Sequence, residues 1–175
     1  MKSAVEQLST YKSVHLNPTN IKSHFVGVPL IIWSVYLILN LIPASLEIED
    51  AFFNAAGVFT LVVLAYYFIL HTKIALGLTL FILPVLYTSY LASKLAHAWW
   101  LALAVFLIGW IIQLIGHKYE KAKPAFMDDI NQLVIGPFFL MAELYFMLGL
   151  EPELHKQITP LAIAKRRAMN KSSQE

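Results

Sequence analysis

The sequence predicts an all-α integral membrane helical bundle: four spans plus a fifth hydrophobic segment that is re-entrant or interfacial. Three observations predict it. Of 175 residues, 58% are hydrophobic and the mean hydropathy is +0.64, against about 45–50% apolar residues in soluble domains. Only 14% are charged, too few to cover the surface of a soluble fold of this size. The apolar residues also collect in five runs, 25–42, 51–70, 74–91, 98–115 and 133–150, of 18, 20, 18, 18 and 18 residues. A membrane helix needs about 20. Backbone groups in hydrocarbon must bond within their own segment, so each run reads as helix. None alternates in polarity as a membrane barrel strand does. A disordered chain is excluded by the same composition. We expect one integral membrane domain over residues 1–175.

Cysteine is absent, which removes disulfides, thiolate ligands and a cysteine nucleophile. A net charge of +2 gives no reason to expect a nucleic-acid partner.

The elements follow in order. Residues 1–24 are polar, carry Lys2, Lys12 and Lys22, and lack a small-residue cleavage site, so the first apolar run is expected to be an uncleaved span. Asn17-Pro18 reads as a turn, with Asn20 capping the helix that enters the membrane. Residues 43–50 and 92–97 read as connectors. The fifth run carries Pro137 near its start and Glu143 in its middle. A carboxylate at mid-membrane depth is costly and faces protein or water. Basic residues decide the topology. With four spans, twelve of the thirteen lie on one face and only Lys94 on the other; with five, the split is seven to six. The positive-inside rule selects four spans with both termini cytoplasmic. That places the protein in an inner membrane if bacterial, or in the endoplasmic reticulum if eukaryotic. The basic tail, 164–175, reads as a frayed cytoplasmic end in reach of anionic lipid.

Five of six histidines (His15, His24, His71, His117 and His155) fall on the cytoplasmic side of this arrangement, and His97 on the other. Imidazole is the commonest transition-metal ligand, and with carboxylates it suits non-haem iron. His24 lies one turn into the helix that runs into the first span, at the membrane surface, and His15 just before the Asn17-Pro18 turn. They read either as interfacial histidines or as two ligands. His117 ends the fourth span with Glu120 at i+3 on the same helical face. They read either as a pair of ligands or as a histidine favoured by the helix dipole beside a solvated acid. Glu143 reads either as a water-facing carboxylate or as a buried ligand, a histidine's partner or a proton carrier. Gln113 can hydrogen-bond to the same site. Lone His71 and His97 fall in connectors, and His155 in an exposed turn. Lys118, Lys121 and Lys123 read either as a solvated basic loop or as an attraction for a carboxylate head group. No nucleophile elbow, Walker A loop, dinucleotide fingerprint or HExxH helix is present, which sets aside serine hydrolases, ATPases and zinc proteases.

Three ordered motifs carry a resemblance. They are His15-x-Asn17-Pro18-x-Asn20-x3-His24-x2-Gly27-Val28-Pro29, Gly109-Trp110-x2-Gln113-x2-Gly116-His117-x2-Glu120-x3-Pro124-Ala125, and Pro137-Phe138-Phe139 followed by Glu143 and Leu148-Gly149. From about Tyr11 to Gly149 the chain resembles the membrane 2-hydroxy fatty acid dioxygenase family, whose fungal member acts in fatty acid α-oxidation. The resemblance implies an Fe(2+) enzyme. It would convert a long-chain 2-hydroxy fatty acid and O2 to the one-carbon-shorter acid, CO2 and water, with the acyl chain in the lipid bilayer. It implies His15, His24 and His117 as metal ligands and catalytic residues. Glu120 and Glu143 remain as candidate further ligands, and Asn17 and Asn20 as supporting residues. The alternatives are a small-solute transporter or channel and a non-catalytic lipid-binding membrane protein.

Overall fold

The computed structural model describes residues 2–42, 54–127 and 129–172; connector 43–50 and the first three residues of the second apolar run lie outside them. The described residues form seven α-helices, a short 3-10 turn at Ala125–Met127 and no strands. The helices are α1 (Ala4–Ser13), α2 (Pro18–Leu41), α3 (Ala55–Leu70), α4 (Thr72–Ser93), α5 (Ala98–Glu120), α6 (Gln132–Met147) and α7 (Pro152–Ser172).

α2, α4 and α5, of 24, 22 and 23 residues, are long and apolar enough to cross a membrane. α3 and α6 have 16 described residues each, about 24 Å of helix against about 30 Å of hydrocarbon.

The chain divides into two compact units, residues 24–114 and residues 1–23 with 115–175. In the first, α3 and α4 meet at the single extended residue His71 and pack together. Leu37 of α2 packs with Ala98 and Ala102 of α5, where small side chains let the helices approach. Gly27 and Gly109 carry this further: a Cβ on Gly27 would lie 2.9 Å from the Gly109 carbonyl oxygen, and one on Gly109 would lie 3.0 Å from that of Gly27. Polar side chains tie the helices where water is scarce. Asn40 Nδ2 donates to the Tyr36 carbonyl (2.9 Å) and to Ser89 Oγ (3.0 Å), while Asn54 Nδ2 donates to Asn40 Oδ1 (2.7 Å). Large apolar side chains such as Leu61, Ile69, Leu80 and Trp100 face outward, as lipid contact requires.

The second unit is built around α1. The polar N-terminal segment is a buried helix. Ser3 caps it by accepting from the Glu6 N–H at 3.2 Å, in a Ser-x-x-Glu arrangement that marks helix starts. α1 packs on α6 and α7, burying Leu8 and Tyr11 with Phe138, Phe139, Leu154, Ile158 and Ala162. The tail differs from the expected frayed end: α7 is helical through Ser172. Its Leu154, Ile158 and Ala162 recur at i, i+4 and i+8, a single buried stripe. Lys165 Nζ donates to Thr10 Oγ1 (2.6 Å), Ser9 Oγ (2.9 Å) and the Glu6 carbonyl (3.3 Å). Partial burial pushes the Lys165 pKa down from its ordinary value.

Candidate metal centre

The helix cap predicted at Asn20 falls instead on Asn17. Its side-chain oxygen accepts from the Thr19 N–H at 2.8 Å and its carbonyl from the Ile21 N–H at 3.1 Å. Pro18 opens α2, where its missing N–H costs nothing and its fixed φ suits a first turn. Asn17-Pro18 is thus the helix start itself. Asn20, released from capping, is buried and donates to Glu120 Oε2 at 3.2 Å.

Glu120 closes the α1–α2 link. Its Oε1 accepts from the Leu16 N–H (3.1 Å) and its Oε2 from the Asn17 N–H (2.8 Å). Arg166 Nη1 lies 3.7 Å from Oε1. Arg166 also donates to the Glu120 carbonyl (2.8 Å) and to the Ser13 carbonyl (3.3 Å). Both carboxylate oxygens are therefore engaged by the chain that carries His15. The 3-residue spacing from His117 is real, but the acid serves the backbone opposite.

That link delivers His15 to the interior, 1% exposed. Its Nδ1 lies 2.7 Å from the Tyr11 carbonyl. A carbonyl only accepts, so Nδ1 carries the proton and Nε2 keeps its lone pair. The ring stacks on Tyr11 at 4.1 Å and 5° between planes, and Phe139 lies 5.6 Å away. Burial pushes the Tyr11 phenol pKa well up, so it stays protonated. The His117 ring meets His15 edge-on at 4.9 Å. At Gly116, a Cβ would collide with Ser23 Oγ and lie 2.6 Å from Asn20 Oδ1. The glycine before His117 thus admits α2 against α5 at this level. His24 follows Asn20 by one turn on the same uninterrupted helix.

One ring nitrogen from each of His15, His24 and His117 lies within 4.8 Å of the others, and all three side chains are buried. Three imidazoles so placed fit a divalent transition metal, iron included, and leave positions open for other ligands. Among the described residues no carboxylate belongs to this group. The remaining histidines stand apart from it. His71 joins α3 to α4, exposed His97 precedes α5, and His155 lies in the first turn of α7, stacked on Phe146 at 4.6 Å, not in the expected turn. Lys118, Lys121 and Lys123 are exposed.

Glu143 is buried and makes an ion pair with Lys12 of α1, whose Nζ also lies 5.8 Å from the Phe139 ring centre and 6.0 Å from that of Phe146. This partner was missed from sequence. The available signal was the start signature at Ser3 and Glu6 followed by Leu8, Lys12 and His15 at helical spacing, which puts Lys12 on the inward face.

A sequence profile of the family described as 2-hydroxy-palmitic acid dioxygenase Mpo1-like matches residues 1–148. The chain is also 32% identical over 152 residues to the 2-hydroxy-palmitic acid dioxygenase MPO1 of Saccharomyces cerevisiae, covering 85% of this chain and 83% of the yeast protein. No solved structure matches. The three motifs and the buried histidines they supply therefore sit in a chain that belongs to the Mpo1-like family.

Proposed function

We propose that the chain is an iron(II)-dependent 2-hydroxy fatty acid dioxygenase, converting a long-chain 2-hydroxy fatty acid and O2 to the one-carbon-shorter fatty acid, CO2 and water. The observation that carries the reading is the buried group of His15, His24 and His117 in a member of this family. The reaction balances without added reductant or 2-oxoglutarate, because the 2-hydroxy acid supplies all four electrons. Bound iron supplies a Lewis acid and a redox partner for O2.

The protein's part is positional. The Tyr11 carbonyl sets the tautomer of His15 and presents Nε2. Tyr11 and Phe139 pack the ring and keep water from it. Glu120 fixes the two residues after His15 through their N–H groups. A substrate with a hydrophobic tail suits such a site at the end of a span, since the chain stays in lipid while the head reaches the histidines. The expected result is O2 uptake and CO2 release from a long-chain 2-hydroxy acid by the iron-loaded protein, with little from the unsubstituted or 3-hydroxy acid. The assay is oxygen-electrode recording with lipid analysis. Turnover of the plain acid at an equal rate, or none of any 2-hydroxy acid, rejects the reading and favours transport or lipid binding.

The topology that suits this reading has four spans, both termini cytoplasmic and α6 not crossing. Its support is the distribution of basic residues. Because the chain has no cysteine, single cysteines report sidedness directly. Ser3→Cys and Ser172→Cys should react with an impermeant thiol reagent from the cytoplasmic side, and Lys94→Cys from the other. Labelling of residues 3 and 172 from opposite sides would mean an odd number of spans.

A further inference from the structure

Gln113 interrupts an apolar stretch of α5, Trp110-Ile-Ile-Gln113-Leu-Ile115. It precedes His117 by one turn, so the two side chains share a face of the helix. Its side chain lies against Gly27 of α2, three residues past His24; a Cβ on Gly27 would come 3.0 Å from Gln113 Cγ. The residue is 7% exposed, and its Oε1 is buried with no hydrogen-bond partner among the described residues. A buried carbonyl left without a donor is destabilising, and an apolar side chain of the same size would avoid the cost. The glycine opposite makes room for an amide that the protein itself leaves unsatisfied.

We propose that Gln113 is a specificity-determining residue that reads the substrate's 2-hydroxyl, its Oε1 accepting the hydroxyl hydrogen. This deepens the dioxygenase reading and rests on it. The order along α5 supports it. Lys118 marks the aqueous end, His117 follows, Gln113 lies one turn deeper, and Trp110 and Gly109 lie beyond. A 2-hydroxy acid entering from the membrane presents its parts in the same order: carboxylate outermost, then the hydroxyl-bearing carbon, then the alkyl chain. A plain fatty acid would leave the amide unsatisfied, so the site discriminates by a missing hydrogen bond.

The test is binding without turnover. Full-length, iron-loaded protein in nanodiscs is titrated anaerobically with 2-hydroxypalmitate and with palmitate by calorimetry, as wild type and as Gln113→Met. Iron content and melting temperature are measured on both. The preference for the 2-hydroxy acid should fall about tenfold or more in Gln113→Met, chiefly through weaker binding of the hydroxy acid. Iron content should be unchanged and the melting temperature equal or higher, because no internal bond is lost. A retained preference overturns the proposal. So does a variant that unfolds, melts lower or loses iron, since the amide would then be structural. If wild-type protein neither prefers nor turns over 2-hydroxy acids, the dioxygenase reading itself fails; normal turnover with preference intact in Gln113→Met removes only the role of Gln113.

Discussion

His15→Ala, His24→Ala and His117→Ala should each purify without stoichiometric iron and lose at least about a hundredfold in O2 uptake, whereas His97→Ala keeps both. Loss of a mere supporting partner of a metal-bound histidine already costs about 10–100-fold, and removal of a ligand costs more. The three imidazoles are buried and their ligand atoms lie within 4.8 Å of one another, so each substitution removes one of three nitrogen donors. His97 precedes α5 and His117 lies near its other end, about 30 Å apart along the helix, so one metal cannot take both. Metal analysis beside an oxygen electrode is the measurement, with helical circular dichroism to establish folding. A folded variant of any of the three that retains iron and full turnover removes that residue from the site.

The second large effect lies in the Lys12–Glu143 pair. Lys12→Met should destabilise the protein by about 3–5 kcal/mol, because it strands a buried carboxylate. The double variant Lys12→Met/Glu143→Leu should recover most of that loss, since well-packed apolar replacements of a buried pair are often neutral or better. Lys12 lies in the last turn of α1, three residues before His15, which follows the helix end at Ser13, so Lys12→Met should also bind iron more weakly. Unfolding curves in mixed detergent micelles for the four members of the cycle give the coupling. Strictly additive losses would mean that the two charges do not stabilise each other.

The elements recovered from sequence are those whose signal is local. Runs of about 20 apolar residues are visible without knowing what they touch; α4 and α5 contain the runs expected of them, and α2 contains all of its run but Ile42. The three ligating candidates were legible because each lies in a compact motif. The helix cap is ambiguous in sequence: both Asn17 and Asn20 can cap, and only Pro18 at the first helical position separates them. Glu120 shows the limit of spacing. Its place at i+3 from His117 is a matter of one helix, while its partners Leu16, Asn17 and Asn20 lie 104, 103 and 100 positions earlier. Glu143 shows it more sharply, since its countercharge is 131 positions away. The N-terminal helix looks polar in sequence because its buried face holds Gln7, Ser9, Lys12 and Ser13 as well as Leu8 and Tyr11; such a face is buried only because α6 and α7 supply the partners.

The contact between Gly27 and Gly109 bears on how such a chain can diverge. At each of these two positions a backbone carbonyl oxygen lies within 3.0 Å of where a Cβ would sit, and backbone cannot rotate aside as a side chain can. Even alanine, the smallest step available, forces the helices apart, so there is no graded series of tolerated replacements. Outward-facing positions such as Leu80 and Leu61, 77% and 69% exposed, meet only fluid hydrocarbon and can exchange among apolar residues freely. Drift is therefore barred at this glycine pair while the outward-facing apolar positions stay free to vary. The least conspicuous residues of the helix pair, with no side chain at all, are the ones with no neutral neighbour in sequence space.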